Sequence, residues 1–150
     1  MLRALLALAK DEPKEMLRRS IEARQAAEAQ AYASFHFYAM ALEARARVDV
    51  GEHHTGILIA TTALGAIEAL QGSEYSLQIR AICCDVLERA GSPQAKDLRH
   101  RASLFAQRCA DSIVDPHLWR TFMKRPPVRE LLGDRPVPSR NAPKPLGAPR

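Results

Sequence analysis

Two adjacent cysteines, Cys83 and Cys84, and two adjacent histidines, His53 and His54, have the side chains most suited to redox or metal chemistry in this 150-residue chain. Neighbours on a helix point about 100° apart, so neither pair readily shares one ligand geometry. A metal centre would need ligands at i, i+3 or i+4 on one face, or converging from several elements. His36, His100 and His117 do not supply that spacing, and Cys109 is far along the chain. The cysteines are therefore expected to be packing residues and the histidines surface or capping residues. An odd number of cysteines makes no disulfide framework and points to reduced thiols and a cytoplasmic setting. No phosphate loop, Gly-x-Ser-x-Gly elbow or His-Glu-x-x-His stretch occurs. The expectation is a chain with no catalytic residue, no metal and no cofactor.

The charged residues are the next candidates. Glu43, Arg45 and Arg47 lie in one segment, and Arg80, Asp85, Glu88 and Arg89 lie in another. They read either as a solvated helix face with i,i+4 pairs or as the lining of a peptide groove. Net charge is +5, placed unevenly: residues 117–150 carry +6 and residues 1–116 carry −1. The basic character belongs to the C-terminal end, which weakens a nucleic-acid reading that wants a basic face on the folded body. The opening MLRALLALAK has too short an apolar core for a signal peptide, with Lys10, Asp11 and Glu12 at its end. No stretch reaches the roughly 18 apolar residues that a membrane span needs.

The elements that would position these groups read as helices throughout. Hydrophobic residues make up 47% of the chain and aromatics only 5%, a mix that suits close-packed helices better than sheets. A short helix is expected over residues 2–10, and another from Pro13 to about Ala31. Further helices follow from about Ala33 to Val48, from His54 to Leu70, from Ser73 to Ala90 and on to about Val114. Asp49-Val50-Gly51 and Gly91-Ser92-Pro93 mark turns. Ser73 and Ser92 are placed to cap the helices after them, and Pro93 to open the last. Asp115-Pro116 starts a short helix with Leu118, Trp119 and Phe122, and Val128, Leu131 and Leu132 suggest one more turn or two. The Pro-rich stretch 133–150 holds too little apolar surface to offset its ordering entropy and is expected to be disordered.

A spacing of 40 residues organises this series. Small residues recur at Ala4, Ala44 and Cys84, and again at Ala23, Ala63 and Ser103. Leu2 aligns with Leu42 and Ile82, and Gly51 with Gly91. Recurrence at 20–50 residues marks stacked helix pairs, which need small residues where helix backbones approach. The expected fold is all-α: antiparallel helix pairs stacked as an α-solenoid with a short C-terminal capping helix. The units are about 1–31, 33–71 and 73–114, with the cap at 116–132. Trp119 and Phe122 are expected to cover the last helix near Leu104 or Ala106.

The small positions, the loop glycines and Gly56, early in a second helix, resemble the tetratricopeptide-repeat superfamily over roughly residues 1–132. The period is longer than the family's, and its bulky aromatic positions are mostly missing. The end of the chain, with Asp115, Pro116, Leu118, Phe122, Pro127, Val128, Arg129, Leu131 and Leu132, is similar to the close of repeat regions in large bacterial signalling proteins. Those are multidomain Ser/Thr kinases, nucleotide cyclases and ATPase-type transcription regulators. The resemblance implies that first helices line a concave groove, with Tyr38, Ala41, Arg45, Gln78, Ala81, Asp85 and Arg89 facing it. Tyr38, Arg45, Gln78, Asp85 and Arg89 are the candidate partner-binding residues. The expected function is non-catalytic binding of a protein or peptide partner in that groove. Two alternatives stay open: a nucleic-acid-associated protein using the basic end, and a structural remnant or spacer.

Overall fold

A computed structural model describes residues 12–70 and 73–133. The expected helix over 2–10, with its small residue Ala4, and the Pro-rich tail beyond Gly133 lie outside the described residues. Seven helices and no strand occur among the described residues: α1 (Pro13–Ala29), α2 (Ala33–Asp49), α3 (His53–Ala69), α4 (Ser76–Arg89), α5 (Ala95–Asp111), α6 (Pro116–Met123) and α7 (Pro126–Leu132). The fold is all-α. Each of α1 to α5 packs on its successor across a short connection, the arrangement of antiparallel helix pairs, and α2 also packs on α4.

Three of the connections repeat one hydrogen-bond pattern. At Gly51 (φ +90°) the amide of Glu52 donates to the Arg47 carbonyl at 2.7 Å and that of Gly51 to Val48 at 3.0 Å. At Gly91 (φ +69°), Ser92 donates to Leu87 at 2.9 Å and Gly91 to Glu88 at 3.1 Å. This Schellman closure needs a left-handed residue, which glycine adopts without steric penalty. The third closure follows α1, where Tyr32 donates to Ala27 at 2.9 Å, and its left-handed residue is Ala31 (φ +55°). An alanine there is strained by roughly 1–2 kcal/mol. Ala31→Gly is therefore expected to raise stability by a fraction of that, read as a higher urea midpoint with an unchanged m-value.

The helix starts differ from the expected capping. The Ser73 hydroxyl is not on the end of α4: it donates to Ser34 Oγ at 3.3 Å, and α4 begins after Tyr75 with no side-chain cap. Ser92 accepts from the Gln94 amide at 3.4 Å, so Ser92 and Pro93 make a turn of their own and α5 opens at Ala95. Asp115 does cap α6, accepting from the amides of His117 at 2.7 Å and Leu118 at 2.8 Å. Those amide hydrogen bonds, Leu118's foremost, hold the Asp115 carboxyl below its ordinary value. A depressed acid stabilises the folded state above its unfolded pKa, about 3.9, and that contribution is lost as pH falls through the folded value. Trp119 follows four residues later and is buried. Its emission is expected to shift red on acidification below about pH 4, and Asp115→Asn is expected to shrink that pH dependence.

The core has two main parts and a small third, where Met16 of α1 packs on Ala46 of α2. One part joins α2, α3, α4 and the start of α5 through Met40, Ala41, Ala44, Val48, Ala60, Ala63, Leu64, Ile67, Ile79, Cys83, Val86 and Leu87. Small residues set its closeness. A Cβ on Gly56 would lie 2.6 Å from Val48 Cγ2 and 3.0 Å from the Ala44 carbonyl oxygen, so α3 and α2 touch nearly backbone to backbone there. Ala44 and its counterpart Cys84 are fully buried, as is Ala63.

The second part lies at the C-terminal end. Val128, Leu131 and Leu132 of α7 are buried against Leu77, Ala81 and Cys84 of α4 and Ala102 and Ala106 of α5. Phe122 and Met123 join this cluster from α6. The Ser103 hydroxyl donates to the Leu131 carbonyl at 2.5 Å and Arg99 Nη1 to the Glu130 carbonyl at 3.1 Å, so α5 side chains satisfy open carbonyls at the end of α7. The expected cap over α5 is thus chiefly α7, with Phe122 packed against the same cluster, while Trp119 is buried but not part of it. Leu104 is not beneath it: its side chain is about half exposed.

Candidate functional site: the first-helix face

The candidate residues sit on α2 and α4, the helices expected to open two successive units. Arg45 and Asp85 occupy equivalent positions one 40-residue period apart, and so do Asp49 and Arg89, one turn further on. Equivalent positions therefore carry opposite charges. Arg45 Nη1 lies 2.5 Å from Asp85 Oδ2, and Arg89 Nη2 lies 2.5 Å from Asp49 Oδ1. Within the helices, Arg45 Nε reaches Asp49 at 3.2 Å and Arg89 Nη1 reaches Asp85 at 3.8 Å. The four side chains close a ring. Two contacts at the same separation, one turn apart, require α2 and α4 to run parallel and in repeat register.

Of the five expected partner-binding residues, the structure brings Arg45, Asp85 and Arg89 together and adds Asp49. Tyr38 and Gln78, again one period apart, lie toward the other end of the same helices. Tyr38 is half-buried and stacks on Tyr75, with ring centroids 5.1 Å apart and planes at 14°. Burial, with a smaller contribution from Tyr75, pushes its hydroxyl pKa up. Gln78 Oε1 is buried with no hydrogen-bond partner. Ala41 and Ala81 are buried in the core and not on an open face.

The ring continues toward α7. Glu88 pairs with Arg99 of α5 at 2.6 Å. The Glu130 carboxyl is pushed above its usual value by desolvation and then by the Asp85 carboxylate. The face therefore presents alternating signs: Arg45, Asp49, Asp85 and Arg89 neutralise one another, and α7 bounds them on one side.

Two members of the charged set do something else. Glu43 is almost fully buried, and Arg24 of α1 reaches it at 2.8 Å and Arg47 at 2.9 Å. It ties α1 to α2. Arg80 is also buried, with its guanidinium carbon 4.2 Å from the centre of the Phe105 ring, on a side of α4 that packs toward α5. A sequence pattern of mixed charges did not single these two out. Arg24, 19 residues before Glu43, is too distant to look like its partner.

The cysteines and histidines show no convergence. Cys83 and Cys84 are fully buried, and burial pushes the Cys84 thiol up to about 11 and Cys83 higher still. Thiols held in that form are poor nucleophiles. No group of three or more His, Cys, Asp or Glu side chains among the described residues could hold a metal ion. No helix among them is long and apolar enough to cross a membrane.

No protein-family model matches the chain, and no curated protein or solved structure matches it either. The functional reading rests on the geometry of the face.

Proposed function

We propose that the chain is a non-catalytic protein-interaction module of the tetratricopeptide-like kind, binding a protein segment across the α2–α4 face. It would serve as the C-terminal part, or a standalone relative, of a bacterial signalling protein. The observation that supports this reading is the ring of Arg45, Asp49, Asp85 and Arg89 on two parallel first helices. Partly exposed ion pairs contribute only about 0–1 kcal/mol each, so a partner can open the ring at little cost. What the partner gains is two carboxylates and two guanidinium forks at fixed spacing. An oppositely ordered segment is favoured by that pattern and a like-ordered one is rejected. Tyr38, half-buried at the other end, supplies an aromatic anchor of the type that dominates binding energy.

The test is affinity capture from the cells that express the chain, comparing the wild type with Arg45→Glu/Asp85→Lys. Circular dichroism must show that both are folded. The reading expects a discrete protein retained by the wild type and lost by the variant. Equal retention by both would overturn it. Retention of nucleic acid that falls steeply with salt would replace it with an electrostatic role for the basic end.

A further inference from the structure

A second charged site lies away from this face, in a cleft of about 580 Å³ between the end of α3, the start of α4 and the middle of α5. Arg80, Arg101 and Arg108 line it with Ser76, Phe105 and a single acid, Glu68. Arg80 is only 5% exposed. Its Nε donates to Ser76 Oγ at 3.3 Å, and Nη1 makes a long ion pair with Glu68 at 3.6 Å. Burial lowers the Arg80 pKa, so the site holds a cation under desolvation that is tied by one hydrogen bond to Ser76 and one long ion pair to Glu68. Glu68 is also the partner of Arg101 and cannot serve both arginines fully. Arg108 has no ion-pair partner among the described residues, and the amino end of α4, whose first residue is Ser76, has no side-chain cap. Three guanidinium groups thus line a cleft with one carboxylate, Glu68, and a further acid paired with them is Asp97, 3.8 Å from Arg101 on the same helix.

We infer that this cleft is a binding site for a small oxyanion ligand, an organic phosphate or polycarboxylate of metabolite size. Its volume falls within the roughly 300–1,000 Å³ of small-molecule sites. The planar fork of Arg80, steadied over Phe105, matches two oxygens of one phosphate or carboxylate group. Arg101 and Arg108 lie about two turns apart on α5 and would take the remaining charge. In this arrangement Glu68 is a competitor: it occupies Arg101 until the ligand displaces it. A purely structural arginine cluster would instead need Glu68 and gain nothing from its loss.

The test uses the full chain, with calorimetry and thermal melting at matched ionic strength against sodium chloride. Inorganic pyrophosphate probes the phosphate source and citrate the carboxylate source. Saturable binding of at least one is expected, and the one that binds names the source. Arg101→Gln/Arg108→Gln, at exposed positions that leave the fold intact, is expected to weaken that binding at least about tenfold. Glu68→Gln is expected to tighten it several-fold, and Arg18→Gln on α1 to leave it unchanged. The inference is overturned if neither probe binds saturably, if the double variant binds as the wild type does, if Glu68→Gln weakens binding, or if Arg18→Gln reduces it as much as the cleft variants do.

Discussion

Leu131→Ala/Leu132→Ala is expected to remove most of the stability of the C-terminal half. Both side chains are buried against α4 and α5, at 4% and 6% exposure. Truncating a buried leucine costs about 2–5 kcal/mol, because the surrounding helices close only part of the cavity. Two neighbouring truncations do not add strictly, but about 4–8 kcal/mol is the scale, against a total of about 5–15 for a domain. Losing α7 uncovers Leu77, Ala81, Ala102 and Ala106 together, and it frees Ser103 and Arg99 from the carbonyls they satisfy. Cys84 belongs to the same cluster and reports the event. In the wild type a thiol reagent should reach Cys84 only on global unfolding. In the double variant it should be labelled while α2 and α3 are still helical. A loss below about 1 kcal/mol, within the range of a surface substitution, would mean that α7 is not the cover.

The second large effect concerns Glu43. Its carboxylate is 1% exposed and depends on Arg24 and Arg47, which keep partial access to solvent. Removing both arginines strands a buried charge, a loss on the order of 3–5 kcal/mol. The arginines themselves are not the source of stability, because replacing a whole buried ionic group by apolar side chains is often neutral or better. Arg24→Ala/Arg47→Ala should therefore destabilise strongly, and adding Glu43→Leu should recover most of the loss. Chemical denaturation of the wild type, the double variant and the triple variant reads this directly. If Glu43→Leu deepened the loss, the carboxylate would be doing something other than answering the two arginines.

The sequence carried the repeat because its turns are chemically marked. Gly51 and Gly91 stand 40 residues apart, and the same Schellman closure forms at each. The third closure, at Ala31, carries no such mark, since alanine rarely adopts a left-handed backbone. The role of Gly56 was legible as a small residue at a close approach, which the contact with Val48 and Ala44 bears out. What could not be read was which charged residues turn inward. Glu43 and Arg45 are two positions apart on one helix, yet the first is buried under α1 and the second lies in the ring with Asp85. A helix packed by α1, α3 and α4 has little free surface, so the usual polar-outside pattern fails for it. The weight of α7 was also hidden. Three apolar residues in seven are too few for a strong periodic signal, and their value comes from the surface left open by α4 and α5.

Coupling between residues 45 and 85 tests the central claim that α2 and α4 run parallel in repeat register. The measurement is a thermodynamic cycle of Arg45→Asp, Asp85→Arg and the exchanged pair, followed by urea denaturation. Each single change sets like charges against each other across the two helices, and the exchange restores an opposed pair. The register predicts that the double variant is more stable than the sum of the single losses by at least about 0.5 kcal/mol, with the difference shrinking at high salt. Strictly additive losses, independent of salt, would place the two helices out of register and contradict the account.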